Sequence, residues 1–144
     1  MRLLVDTNVL LDGYLKRPPF YEDWEQILMY HMVGILELWV SAKSFTDIAY
    51  LGGRAVGPQA IQEKIRTSLD DLEVCSIDGK DVRAAAEAGW KDFEDCIVYQ
   101  AALKTKADYI ITHDKQDFAA STIPAISPHE LVLKMRETIE FVEE

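Results

Sequence analysis

The chain has 144 residues, 49% hydrophobic and 28% charged, with 25 acidic against 15 basic side chains for a net charge of −10. That size and composition predict one globular domain, residues 1–144, able to bury a core. The charge argues against gripping nucleic acid on a broad basic face, but leaves open a nucleic-acid enzyme whose clustered carboxylates are neutralised by bound cations.

Residues 2–6 read as a buried strand, apolar from Leu3 to Val5, as parallel strands are. A helix from about Asn8 to Leu15 follows and must stop before Pro18-Pro19. The next helix carries Phe20, Trp24, Ile27, Leu28 and His31 on one apolar face. After a break at Gly34, Ile35 to Val40 fits a second strand. Ser41 caps a helix from Ala42 to Leu51, which Gly52-Gly53 is expected to end. Pro58 opens another helix with a stripe of Ile61, Ile65 and Leu69.

Val74 to Ile77 is the third predicted strand, and Asp78 caps a helix over 79–89 that closes at Gly89. An Ala-rich helix over 93–106 leads to a fourth strand, Tyr109 to Thr112. A fifth, near Ile123 to Ile126, precedes a last helix. There Ser127-Pro128-His129-Glu130 forms a capping box with proline in the first turn, and Leu131, Met135, Ile139 and Val142 are the expected buried face. Strands alternating with helices imply right-handed crossovers, hence a three-layer α/β/α domain around a parallel sheet of four or five strands.

No apolar run nears the roughly 18 residues of a membrane span, and the N-terminus has no signal-peptide pattern, so a cytoplasmic protein with no membrane contact is expected. Cys75 and Cys96 read as reduced core thiols. His31, His113 and His129 lack zinc-ligand spacing.

The acids fall in a pattern. Asp6 ends the first strand and Asp114 follows the fourth; as neighbours, these strands would bring both carboxylates to one sheet edge, where such sheets bind ligands. Asp95, in the first turn of the Ala-rich helix, and Asp47, in the helix after the second strand, can rim that edge. Carboxylates so gathered repel one another unless a cation joins them, and magnesium or manganese prefers oxygen ligands. The matching chemistry is attack of metal-activated water on a phosphodiester. No GxxxxGK[ST], GxGxxG or GxSxG motif competes.

Each acid also has a plainer role. Asp6 can hydrogen-bond the free amides of the following helix. Asp92 suits the N-cap of helix 93–106, and Asp95 is either its capping-box partner or a ligand. Glu94 is expected to point elsewhere as a solvated charge or a peripheral ligand. Asp114 and Asp117 can be turn residues, with Thr112 bonding inside the turn or placing a phosphate. Asp47, inside a helix, caps nothing. His113 reads as a loop side chain, and the aromatics Tyr14, Tyr21, Trp24, Tyr30 and Trp39 read as core.

Three segments together resemble the PIN-domain nucleases, in particular VapC-like toxins: Leu4-Val5-Asp6-Thr7-Asn8-Val9-Leu10-Leu11, then Asp92-Phe93-Glu94-Asp95 with Ala101-Ala102, then Ala107 through Phe118 with its Thr112-His113-Asp114-Lys115-Gln116-Asp117-Phe118 close. By that resemblance, Asp6, Asp95 and Asp114 match metal-binding acids, and Asn8 and Thr112 match supporting polar positions. The remaining acid is normally glutamate; Asp47 is its best match, one methylene shorter, with Asp117 able to supplement it. The resemblance implies a Mg2+- or Mn2+-dependent endoribonuclease, often a homodimer and often held inactive by a small antitoxin. Two other readings stand beside it: a non-catalytic PIN scaffold binding RNA or protein, and an acidic-cluster phosphatase. The phosphatase wants a second acid two residues after its nucleophile, where this chain has Asn8.

Overall fold

The computed structural model describes residues 1–143, and side chains through residue 139. Among the described residues the strands are β1 (Arg2–Val5), β2 (Glu37–Ser41), β3 (Glu73–Cys75), β4 (Tyr109–Ile111) and β5 (Ala125–Ile126). The helices are α1 (Thr7–Leu15), α2 (Phe20–Met32), α3 (Ala42–Val56), α4 (Pro58–Ser68), α5 (Gly79–Ala88), α6 (Phe93–Thr105) and α7 (Pro128–Glu143), with a 3-10 turn at Lys115–Phe118.

All strand pairs are parallel, in the order β3-β2-β1-β4-β5. The chain builds outward from β1 to β3 on one side, then returns to add β4 and β5 on the other. β1 and β4 therefore flank the switch point, where a crevice opens at the carboxyl edge of such sheets. Their register pairs Val5 with Ile111, so Asp6 and Thr112 emerge side by side just beyond.

Alternation along the strands assigns the layers. Leu3, Val5 and Ile111 face a core built with Leu10, Trp24, Ile27, Ile48 and Ile61. Leu131, Val132 and Met135 of α7 join that same core, tying the end of the chain to its beginning. Leu4 and Ile110 face the other way, onto Val98, Ala101 and Ala102 of α6. The small α6 alanines let that helix lie close on the sheet. The result is the expected three-layer α/β/α arrangement, with five strands.

Several local expectations change. α3 does not end at Gly52-Gly53 but runs to Val56. Gly52 is buried because α4 crosses there: a Cβ would stand 2.5 Å from Ile61 Cδ1. This glycine pair marks a helix contact, and the helix ends instead at Gly57, with φ of 95°. Phe20 is 43% exposed and lies off the core, its ring centroid 4.4 Å from that of His113. Leu69 falls just beyond α4 and is exposed. Ile139 is half-buried, and the Val142 side chain lies outside those described.

The expected cap at Asp78 and capping box at Ser127 both hold, and the first is itself a reciprocal box. Asp78 and Asp81 form a capping box at α5, and Ser127 and Glu130 exchange the equivalent pair of bonds at α7. No helix among the described residues is long and apolar enough to cross a membrane.

Candidate functional site

Asp6 is the N-cap of α1 and is only 6% exposed. Its Oδ1 accepts from the Thr7 backbone N–H at 2.8 Å, and its Oδ2 accepts from the Thr112 hydroxyl at 2.9 Å. The Asp114 N–H donates in turn to Thr112 Oγ at 3.1 Å. Thr112 thus joins the ends of β1 and β4 and fixes the loop carrying Asp114.

Across the crevice stands the first turn of α6. Asp92 caps it, accepting from the Asp95 N–H at 3.0 Å. With its backbone satisfied by Asp92, the Asp95 side chain is released toward the pocket. Glu94 goes there too, contrary to the outward orientation expected of it: Thr7 donates to its Oε1 at 3.1 Å. Asp6, Glu94 and Asp95 each bring a carboxylate oxygen within 4.8 Å of the other two. Asp114 stands outside this tightest trio but lines the same pocket of about 380 Å³, as do Asn8, Asp47, Asp92 and Asp117.

The electrostatics follow from burial and crowding. Burial lifts Asp6 above the usual carboxylate range, against the hydrogen bonds from Thr112 and Thr7, and the Asp114 charge adds to the rise. Glu94 is raised chiefly by burial, then by the Asp6 charge. Asp95 is pushed up to about 7 by burial, with Asp92, Asp6, Glu94 and Asp117 all repelling its charged form. The described lining contains seven carboxylates and no lysine or arginine. Two helix N-termini, those of α1 and α6, offset part of this negative charge. A donor set made only of oxygens, crowded enough to resist ionisation, fits a hard divalent cation.

Asp47 is held differently. Lys43, one turn back on α3, reaches both its carboxylate oxygens at 2.9 Å. Its charge still acts on Glu94. Asp117 is exposed at the far rim, and Asn8 is exposed beside Asp6.

Four participants were given no place at the centre of the site from sequence, Glu94 having been read only as a solvated charge or a peripheral ligand. Glu94 is one; Thr7 and Ser44 are two more, their hydroxyls 2.8 Å apart beneath it. Thr7 and Ser44 lie at the starts of helices after strands, the only local sign that their hydroxyls serve a sheet edge. The fourth is Asp12, a 5% exposed carboxylate whose Oδ2 lies 2.6 Å from His113 Nε2. His113 is therefore not a free loop side chain: it anchors the Asp114 loop to α1. An acid one helical turn from the apolar Val9 hinted at burial, but its partner is 101 residues away.

The sequence model of the PIN domain family matches residues 2–116. No curated protein matches the chain. Among solved structures, VapBC2 from Rickettsia felis bound to a promoter DNA fragment superposes with a TM-score of 0.66 at 15% identity, over 88% of this chain and 98% of that one. A toxin–antitoxin complex from Klebsiella pneumoniae gives 0.62 at 21% identity, over 88% and 97%. VapC20 from Mycobacterium tuberculosis, a Sarcin-Ricin loop cleaving toxin, gives 0.66 at 14%, over 82% and 94%. At these identities the likeness is one of fold.

Proposed function

Because this chain belongs to the PIN domain family, we propose that it is a metal-dependent endoribonuclease cleaving RNA phosphodiester bonds, the toxin of a toxin–antitoxin pair. The observation that carries this reading is the trio Asp6, Glu94 and Asp95, with ligand atoms within 4.8 Å of one another at the switch point of the sheet. Asp6, Glu94 and Asp95 would hold the ion, and Asp114, lining the same pocket, would offer it a further oxygen. Mg2+ or Mn2+, when bound there, would supply positive charge to the cluster and lower the pKa of a water for attack on phosphorus.

The protein's own groups do the rest. Thr112 and the Thr7 N–H hold the Asp6 carboxylate in one orientation, so its remaining lone pairs face the pocket. Thr7 steadies Glu94 in the same way. Asp95, pushed up to about 7 in the cation-free cluster, gives up its proton as the ion binds. Asp47, Asp117 and Asn8 lie at the mouth, where they position substrate or ordered water.

A small antitoxin is the partner this reading expects, since the Rickettsia felis and Klebsiella pneumoniae neighbours are toxin–antitoxin assemblies. A homodimer acting in the cytoplasm, each chain a single domain, completes the proposal. One observation favours a second reading, a PIN scaffold that binds RNA or protein without cutting it: Lys43 neutralises Asp47 where an unpaired acid would serve catalysis better.

Cleavage of a labelled RNA with and without Mg2+ or Mn2+ decides between them. The nuclease cuts only with metal, stops on chelation, and loses activity at least about a hundredfold in Asp95→Asn with its fold retained. Equal cutting in a clean Asp95→Asn protein removes that residue from the mechanism. Binding without cutting under every metal condition leaves the scaffold.

A further inference from the structure

The acidic pocket creates a difficulty for its own substrate. Among the described residues, seven carboxylates line it and no cationic side chain does. A phosphate backbone is repelled by these acids wherever the bound ion does not neutralise them, so holding the strand draws on groups outside the carboxylates.

Tyr50 stands where that can happen. It lines the same pocket, on the exposed side of α3, and is 65% exposed. The Arg54 guanidinium, one turn further on, lies 5.8 Å from the centre of its ring. Arg54 makes no ion pair among the described residues, so its charge is available at the rim. Leu51 adds exposed apolar surface beside the ring.

We propose that Tyr50, with Arg54 beside it, is a stacking site for an unpaired nucleobase of the strand being cut. This rests on the nuclease reading above. An aromatic face takes any base and needs no net positive charge, and the guanidinium supplies a phosphate contact just outside the repulsive zone. A base in a duplex is already stacked on its neighbours and cannot offer its face.

The experiment compares wild type, Tyr50→Ala and Tyr50→Phe on two short RNAs: one with the cleavable site unpaired, the other with the same site inside a hairpin stem. Expected is a KM about tenfold higher for Tyr50→Ala on the unpaired RNA, the order set by losing one stacked base, with kcat and Mn2+ affinity unchanged. Tyr50→Phe keeps the wild-type KM, since stacking does not need the hydroxyl. An unchanged KM in Tyr50→Ala on the unpaired RNA, or an equal rise on the hairpin stem, overturns the inference and leaves the nuclease intact. If wild type does not cut at all, the nuclease reading fails separately. Anisotropy of a labelled unpaired RNA in calcium then tests the ring alone: weaker binding by Tyr50→Ala supports the site, and equal binding overturns it. A change in mass by light scattering in Tyr50→Ala would place the ring between two copies of the chain, which also overturns it.

Discussion

The hydroxyl of Thr112, with none of the residue exposed, donates to Asp6 across the β1–β4 boundary at 2.9 Å. The two are 106 residues apart in sequence. Thr112→Val keeps the shape and removes the donor, leaving a buried carboxylate oxygen short of a partner. The expected cost is about 1–3 kcal/mol of stability in urea unfolding, with Thr112→Ser close to wild type. A Thr112→Val midpoint equal to wild type would show that the bond carries no weight.

His113 and Asp12 give an asymmetric pair of predictions. His113→Ala strands the buried Asp12 carboxylate with only Arg17, a half-exposed partner at 3.4 Å. Asp12→Ala removes the buried carboxylate itself and leaves only a partly exposed imidazole. The histidine change should therefore cost more, about 3 kcal/mol against about 1–2 kcal/mol, by thermal or chemical unfolding. Equal losses would contradict the view that the stranded charge dominates.

Adjacent glycines on α3 should respond with opposite signs. Gly52→Ala drives a methyl into Ile61, 2.5 Å from its Cδ1, and should cost about 1–3 kcal/mol. Gly53→Ala meets nothing nearer than 3.7 Å and should gain about 0.5–1 kcal/mol from helix propensity. Differential scanning calorimetry of the two variants reads both directly.

Those glycines also show what a sequence conveys and what it hides. The strand ends at Asp6 and Thr112, the helix starts at Ser41, Asp78, Asp92 and Ser127, and the stop at Gly89 rest on neighbours within four residues. All of them were legible. Gly52-Gly53 looked like a helix end because the same residue type serves a stop and a close crossing, and only the position of α4 separates the two. Glu94 was misplaced for a related reason. Its neighbours on α6 say nothing of Thr7, 87 residues earlier, which draws it inward. His113 was read as a loop side chain and its partner Asp12 was passed over, because their bond exists only once β4 has been laid beside β1.

Stability without metal should fall as pH rises. Unfolded, Asp95 ionises near its ordinary 3.8; folded, it keeps its proton up to about 7. Below the lower value both states hold the proton, and this group's contribution is fully present. Through the interval between the two values, the unfolded chain sheds its proton first, so stability drops; above it the penalty is constant. Asp6 and Glu94 are displaced in the same direction and steepen the fall. Asp95→Asn in chelator should be about 1 kcal/mol more stable than wild type near pH 8, a figure already reduced for solvent screening, and no different near pH 3.5. A wild-type melting temperature flat across that range would argue against crowding among the acids.

The central claim is that Asp6, Glu94 and Asp95 form one cation site, and calorimetric titration with Mn2+ tests it most directly. The account predicts saturable binding by wild type, at least about tenfold weaker binding by Asp6→Asn and by Glu94→Gln, and an affinity that increases with pH up to about 7, where Asp95 gives up its proton. No binding by wild type, or binding undiminished in both variants, would contradict it.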